Sequence, residues 1–154
     1  MKLWLLRHGE AEPNARSDAQ RNLTEHGRRQ VREAAAHLQG QALQTVLVSP
    51  YVRAQQTADL LCKELAFSGS RVTVSWLTPE SDLRHTLREL AAYSVDDLLL
   101  VTHQPLVGNL AGLLLYGHRQ QPLPMNTASL ALLEGDDLLA GLMELSVYEH
   151  PTRF

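Results

Sequence analysis

Cysteine occurs once in the 154 residues, so Cys62 has no partner for an internal disulfide and nothing in the chain calls for an oxidising compartment. A cytoplasmic location is expected. A basic excess is missing too, since 14 Lys and Arg stand against 17 Asp and Glu for a formal charge of −3. Nucleic acid or an anionic membrane would require a basic stripe, and neither is expected as a partner. Long apolar runs are also absent. The opening stretch from Met1 to Leu6 is broken by Arg7 and His8 before it reaches the length of a signal-peptide core, and no segment approaches the roughly 20 apolar residues of a membrane span. The chain has no Gly-x4-Gly-Lys-[Ser/Thr] phosphate loop, no Gly-x-Ser-x-Gly elbow and no His-x-x-x-His pair. Cys62 is followed by Ser68 where a Cys-x5-Arg phosphatase needs arginine, which leaves the thiol to pack on a helix.

What is present suits one folded domain. The composition is 44% hydrophobic and 20% charged, enough to bury a core, and a single domain over residues 1–154 is expected. A short apolar run at residues 2–6 reads as a first strand that ends at Arg7-His8-Gly9. A polar loop from Glu10 to Asn22 follows. Thr24 is then placed to cap a helix striped by Val31, Ala34, Ala35 and Leu38, with Gly40 to stop it. Thr45 to Val48 reads as a second strand, and Ser49-Pro50 as the cap and first position of a helix through Ala54, Ala58, Leu61 and Leu65. Val72 to Trp76 and Leu98 to Val101 predict two more strands, with a helix carrying Leu83, Leu87, Leu90 and Ala91 between them. Leu106 to Leu115 is apolar nearly all round, as a helix buried on a sheet would be. Two last strands are expected at Ser129–Leu133 and Leu142–Val147. The alternation predicts an α/β fold, a three-layer sandwich with a mainly parallel sheet and helices on both faces.

Sheets of that kind bind ligands outside the carboxyl ends of their strands. The residues that follow the predicted strands are chemically special. Arg7 and His8 follow the first, Ser49 with Arg53 the second and His103 the fourth, while Arg21 is available from the loop after the first strand. The set is cationic and contains no carboxylate, which suits a compact dianion, because an arginine fork matches phosphate oxygens. A neutral imidazole is nucleophilic near pH 7 and can accept a phosphoryl group covalently. His8 is the stronger candidate, with Arg7 beside it and Gly9 able to orient the ring through its carbonyl. His103 is then a donor to a phosphoryl oxygen. Positioning and charge stabilisation dominate phosphoryl transfer, so the set needs no metal.

Taken singly, each of these residues has an ordinary structural reading; their order along the chain carries the argument. Arg7-His8-Gly9, Leu23-Thr24 with Gly27, Ser49-Pro50 with Arg53-Ala54 and Gln56-Thr57, and Thr102-His103 together resemble the histidine phosphatase superfamily, with its phosphoglycerate mutase-like fold. The short length, Leu77-Thr78-Pro79 and the His103-x-Pro105-Leu106-Val107-Gly108 run are similar to the SixA type of phosphohistidine phosphatase within it. The resemblance implies a hydrolase in which His8 carries the phosphoryl group and Arg7, Arg53 and His103 form its pocket, with Arg21 as a further substrate contact. It implies no metal or organic cofactor. The implied partner is a phosphohistidine-bearing signalling or phosphocarrier protein, met by a monomer.

Larger members of that superfamily use a carboxylic acid to protonate an alcohol leaving group. The candidates here are Glu80, then Asp82 and Asp18. A phosphohistidine protonated on its other ring nitrogen departs as neutral imidazole, whose conjugate acid has a pKa of only about 6.5. A site lacking a strong acid therefore favours P–N over alkyl P–O cleavage. The alternatives are a phosphatase of small phosphomonoesters, for which Glu80 has to work as the acid, and a non-catalytic phosphohistidine-binding module.

Overall fold

In the computed structural model, which describes residues 1–93 and 95–152, the apolar runs become strands β1 (Lys2–Arg7), β2 (Thr45–Val48), β3 (Ser70–Thr73), β4 (Asp97–Thr102), β5 (Leu130–Glu134) and β6 (Glu144–Glu149). The striped segments become helices α1 (Glu25–Leu38), α2 (Val52–Glu64), α3 (Leu83–Leu90) and α4 (Leu106–Tyr116). The six strands form one sheet in the order β3-β2-β4-β1-β5-β6. The pairs β3 with β2, β2 with β4 and β4 with β1 are parallel, while β5 and β6 run antiparallel to their neighbours.

Successive strand residues point to opposite faces, and the two faces divide the core. Leu3 and Leu5 join Leu47, Leu98 and Leu100 under α3 and α4, whereas Trp4 and Leu6 join Val46, Val48, Leu99 and Val101 under α1 and α2. Because β1 and β4 are central and covered on both faces, their continuous apolar runs are what a buried strand requires. The parallel strands all end at one edge of the sheet, so the residues just after β1, β2 and β4 lie side by side.

Local chemistry fixes the connections. The Thr24 hydroxyl accepts the Gly27 N–H at 2.9 Å, the expected cap of α1. That first turn presses on the loop after β1. A Cβ on Gly9 would sit 2.6 Å from the Gly27 carbonyl oxygen, and one on Gly27 only 2.1 Å from the Glu10 carbonyl oxygen. Two glycines thus let backbone meet backbone where β1 gives way to the site.

Two expectations require correction. Ser49 does not cap α2: the helix begins at Val52, and the Ser49 hydroxyl accepts the Tyr51 N–H at 3.2 Å before it starts. The third strand stops at Thr73 rather than running to Trp76, and Ser75–Leu77 forms a 3-10 turn that drops Trp76 and Leu77 into the core. Threonine hydroxyls take over the carbonyls that a strand ladder would have used, Thr86 donating to Trp76 and Thr102 to Leu77, each at 2.7 Å.

Candidate functional site

Arg7 is the last residue of β1 and His8 the first beyond it. The His8 backbone is pinned on both sides, its N–H donating to the Thr102 carbonyl at 3.0 Å and its carbonyl accepting the Ala128 N–H at 2.8 Å. The ring is fixed as well. Nδ1 lies 2.7 Å from the Gly9 carbonyl oxygen, which can only accept, so Nδ1 carries the ring proton. Nε2 keeps its lone pair, which accepts the Arg53 Nε–H at 3.2 Å. Burial pushes the His8 pKa down to about 3, with the Arg53, Arg7 and Arg21 charges adding to the fall and the Gly9 carbonyl opposing it. At neutral pH the imidazole is uncharged.

The second histidine follows β4 and packs beside the first, with ring centroids 5.0 Å apart. Its Nε2 lies 2.7 Å from Ser49 Oγ, and its Nδ1 is buried without a partner in the protein. Burial is the main reason its pKa falls, to about 2, and His8, Arg53, Arg7 and Arg21 push the same way. Arg7 has the same half-committed character. One Nη donates to the Met125 carbonyl at 2.9 Å, while its Nε is buried and unpaired. A buried, unpaired arginine N–H and a buried, unpaired ring nitrogen thus flank a neutral imidazole, and the oxygens of a phosphoryl group can pair with the first.

Arg53 is the second residue of α2, closer to the helix start than its expected place one turn in, and its side chain is almost fully buried. Its Nη atoms donate to the Asp18 carbonyl at 2.6 Å and to the Asp18 carboxylate at 3.1 Å. The same carboxylate accepts Arg21 Nε at 3.0 Å. Asp18 thus links both arginines, and Arg21 reaches the cluster through it rather than by a hydrogen bond to His8. The loop that carries them is tied to α2 by Gln56, whose Oε1 accepts the Leu23 N–H at 2.8 Å and whose Nε2 donates to the Asn22 side chain.

The carboxylates are not poised to give protons here. Burial works to raise the Asp18 pKa, but the hydrogen bonds and charges of Arg53 and Arg21 outweigh it and hold the group below its ordinary value. Asp82 caps α3 by accepting the His85 N–H at 3.1 Å. Glu80 is exposed and pairs with none of the four central side chains. The start of helix α4 offers little to an anion, because its Val107 N–H is taken by the His103 carbonyl and its Gly108 N–H by the Gln104 side chain. Among the described residues no group of three His, Cys, Asp or Glu side chains is arranged to hold a metal ion.

Sequence reasoning named Arg7, His8, Arg53 and His103, and the fold brings all four together. It missed what surrounds them. Ser49 bonds His103 instead of capping a helix, and Tyr51 lies edge-on to His103 with Arg53 over its ring at 5.1 Å. Thr57 accepts the Gly9 N–H and donates to the Arg53 carbonyl. Ser49 had a signal in its place after the second strand, and Thr57 in lying one helical turn after Arg53 on the same face. The Met125 carbonyl had none, since any residue supplies one.

Known proteins share this arrangement's frame. The Histidine phosphatase superfamily (branch 1) matches residues 3–75, the span that holds Arg7, His8, Arg21, Ser49 and Arg53. The chain is also 34% identical over 142 residues to the phosphohistidine phosphatase SixA of Escherichia coli, covering 89% of this chain and 87% of that one. It belongs to the histidine phosphatase superfamily. Within it, the chain is similar to proteins called SixA. The SixA homolog of Haemophilus influenzae is 35% identical over 153 residues, covering 88% of this chain and 89% of its own. A solved structure of the protein histidine phosphatase SixA complexed with tungstate superposes with a TM-score of 0.88 at 32% identity, covering 98% of this chain and 97% of the other.

Proposed function

We propose that the protein is a phosphohistidine phosphatase that removes the phosphoryl group from a histidine of a phosphotransfer or phosphocarrier protein, by way of a covalent phosphohistidine on His8. One observation carries the reading: His8 is buried, neutral and locked with Nδ1 on the Gly9 carbonyl, so its Nε2 lone pair is held beside Arg53. The relatives named phosphohistidine phosphatase and the tungstate-bound neighbour support it, tungstate being a tetrahedral oxyanion like phosphate.

In the first step Nε2 of His8 forms a P–N bond as the substrate's P–N bond breaks, and the electron pair stays on the departing imidazole nitrogen. Substrate and enzyme histidine each keep the proton on their other ring nitrogen, so no proton moves. That balance is why the site works without an acid. In the second step water attacks phosphorus, the His8–phosphorus bond breaks, and both hydrogens of the water leave with inorganic phosphate. Arg7 Nε, Arg53 and the His103 donor stabilise the equatorial oxygens in both transfers, with Arg21 a further contact for the arriving phosphoryl group. The half-buried Cys62 fits a reducing, cytoplasmic setting, and a monomer presenting this end of the sheet suffices for the reaction.

The test incubates the protein with a phosphorylated phosphotransfer domain and, separately, with p-nitrophenyl phosphate. Inorganic phosphate release from the first and acid-labile phosphate on the enzyme are expected, and His8→Ala should reduce both by at least about 10³-fold. Turnover of the aryl ester alone would move the reading to small phosphomonoesters. Binding without release would make the protein a phosphohistidine-binding module.

A further inference from the structure

We propose that Ser49 is a positioning residue: its hydroxyl fixes His103 as the Nδ1–H tautomer, so that a neutral, single-donor imidazole meets the phosphoryl group beside His8. The inference rests on the phosphohistidine phosphatase reading and adds a residue to it.

Ser49 is fully buried at the end of β2, and its Oγ has two neighbours within hydrogen-bond distance. The Tyr51 backbone N–H donates to it at 3.2 Å, which uses one lone pair. His103 Nε2 lies at 2.7 Å. Had Nε2 carried the proton, it would donate to the second lone pair and leave the Ser49 hydroxyl hydrogen buried with no acceptor. A buried donor left unmade in this way is destabilising. The satisfied arrangement has the Ser49 O–H donate to Nε2, which places the ring proton of His103 on Nδ1.

Nδ1 is then a donor, and it is the buried atom of His103 that no protein group satisfies. The sheet order explains why the ring is where it is needed. β4 lies between β2 and β1, so His103 stands between Ser49 on one side and His8 on the other, its ring 5.0 Å from that of His8. Tyr51 closes the remaining side, its ring edge-on to His103 with centroids 5.1 Å apart. If the ring exchanged tautomers, it would reverse the Ser49 contact and strand the buried Ser49 hydroxyl hydrogen. In the phosphoryl-transfer transition state its donor is already aimed, and no reorganisation is needed when charge spreads to the equatorial oxygens. Serine at this place in the sequence thus has a second meaning beyond preceding a proline and a helix.

The test is Ser49→Ala read three ways. Long-range proton–nitrogen correlation spectra of the free, nitrogen-15-labelled protein should show His103 with a protonated Nδ1 and a bare Nε2 in the wild type, and a mixture of tautomers in the variant. With a phosphorylated phosphotransfer domain as substrate, kcat should fall about 10- to 100-fold while KM changes less than about threefold. Circular dichroism and the unaltered signals of the remaining histidines establish that the variant folds. A wild-type His103 protonated on Nε2 overturns the proposal, as does a variant whose tautomer changes while kcat does not. A wild type that shows the Nδ1–H tautomer yet releases no phosphate overturns the phosphatase reading and leaves the Ser49 contact standing.

Discussion

The two ends of the sheet are built on opposite terms. Where β1, β2 and β4 end, the chain buries His8, Ser49, Arg53, Thr102 and His103, and it leaves Arg7 Nε and His103 Nδ1 without partners. At the other end most polar groups are satisfied locally or reach solvent, although one carboxylate oxygen of Asp97 at the start of β4 is also buried without a partner. Gln44 Oε1 accepts the Asp96 and Asp97 N–H groups, the Gly135 N–H donates to the Met1 carbonyl, and Leu139 and Leu142 are exposed in the connection between β5 and β6. Thr45 is a buried polar side chain at that end. The same strands supply both ends, so the difference lies not in the scaffold but in what it carries. Burying an arginine and two imidazoles costs stability, and the cost is tolerable because the apolar middle of the sheet offsets it. Removing a side chain from the middle should therefore unfold the protein, and removing one from the site should stop it working.

A pair of substitutions tests that division at its largest. Leu100→Ala empties a fully buried position in the face shared with Leu5 and Leu47, and should cost about 2–5 kcal/mol in denaturant unfolding. Its turnover per folded molecule should stay within about twofold of wild type. Arg53→Lys keeps the charge but loses the fork that reaches His8 and Asp18 together. It should lower kcat/KM on a phosphorylated phosphotransfer domain by about 10²-fold with the midpoint of unfolding little changed. Equal damage to activity from both would erase the contrast.

A second effect comes with pH. In the unfolded chain a histidine titrates near 6.5, whereas His8 and His103 in the fold are pushed down to about 3 and about 2. Between those values the unfolded state binds more protons, so stability rises with pH. The contribution of the two neutral rings is fully present above about 6.5 and is lost as pH falls through the folded values. Tm should drop steadily from pH 6.5 toward pH 3, and the slope should be shallower in His8→Asn. A slope that does not respond would show that the buried imidazoles are not the source.

How much of this was legible in the sequence depends on the range of the interaction. Thr24, Val31 and Leu38 spell α1 within one segment, and the run from Leu98 to Val101 spells β4, because capping and burial periodicity are local. His8 and His103 were legible from their places after apolar strands. Ser49 misled, since Ser-Pro before a helix has a familiar local meaning and its contact with His103 joins the ends of neighbouring strands β2 and β4 that are far apart in the chain. Trp76 misled for a related reason: its β-prone run was overruled by the room beneath α3 and by the Thr86 hydroxyl that claims its carbonyl. Asp18 was read as a spare acid, and only the fold joins Arg53 and Arg21 on its two oxygens.

The smallest expected effect bears on substrate choice. Glu80 lies inside the Thr78–Ser81 turn, just before the Asp82 cap of α3, exposed and unpaired with the central cluster. Asp18 is held ionised by two arginines and Asp82 is spent on a helix. If none of the three donates a proton, a leaving imidazole is served as well as before and a leaving alkoxide is not, because the alkoxide alone needs one. Glu80→Gln should therefore change phosphate release from a phosphohistidine protein by less than about twofold. The measurement is paired turnover of wild type and variant on that substrate and on an alkyl phosphate. A loss above about tenfold on the phosphohistidine protein would mean that Glu80 moves into the site and protonates the leaving group, and the preference for P–N bonds would then need another origin.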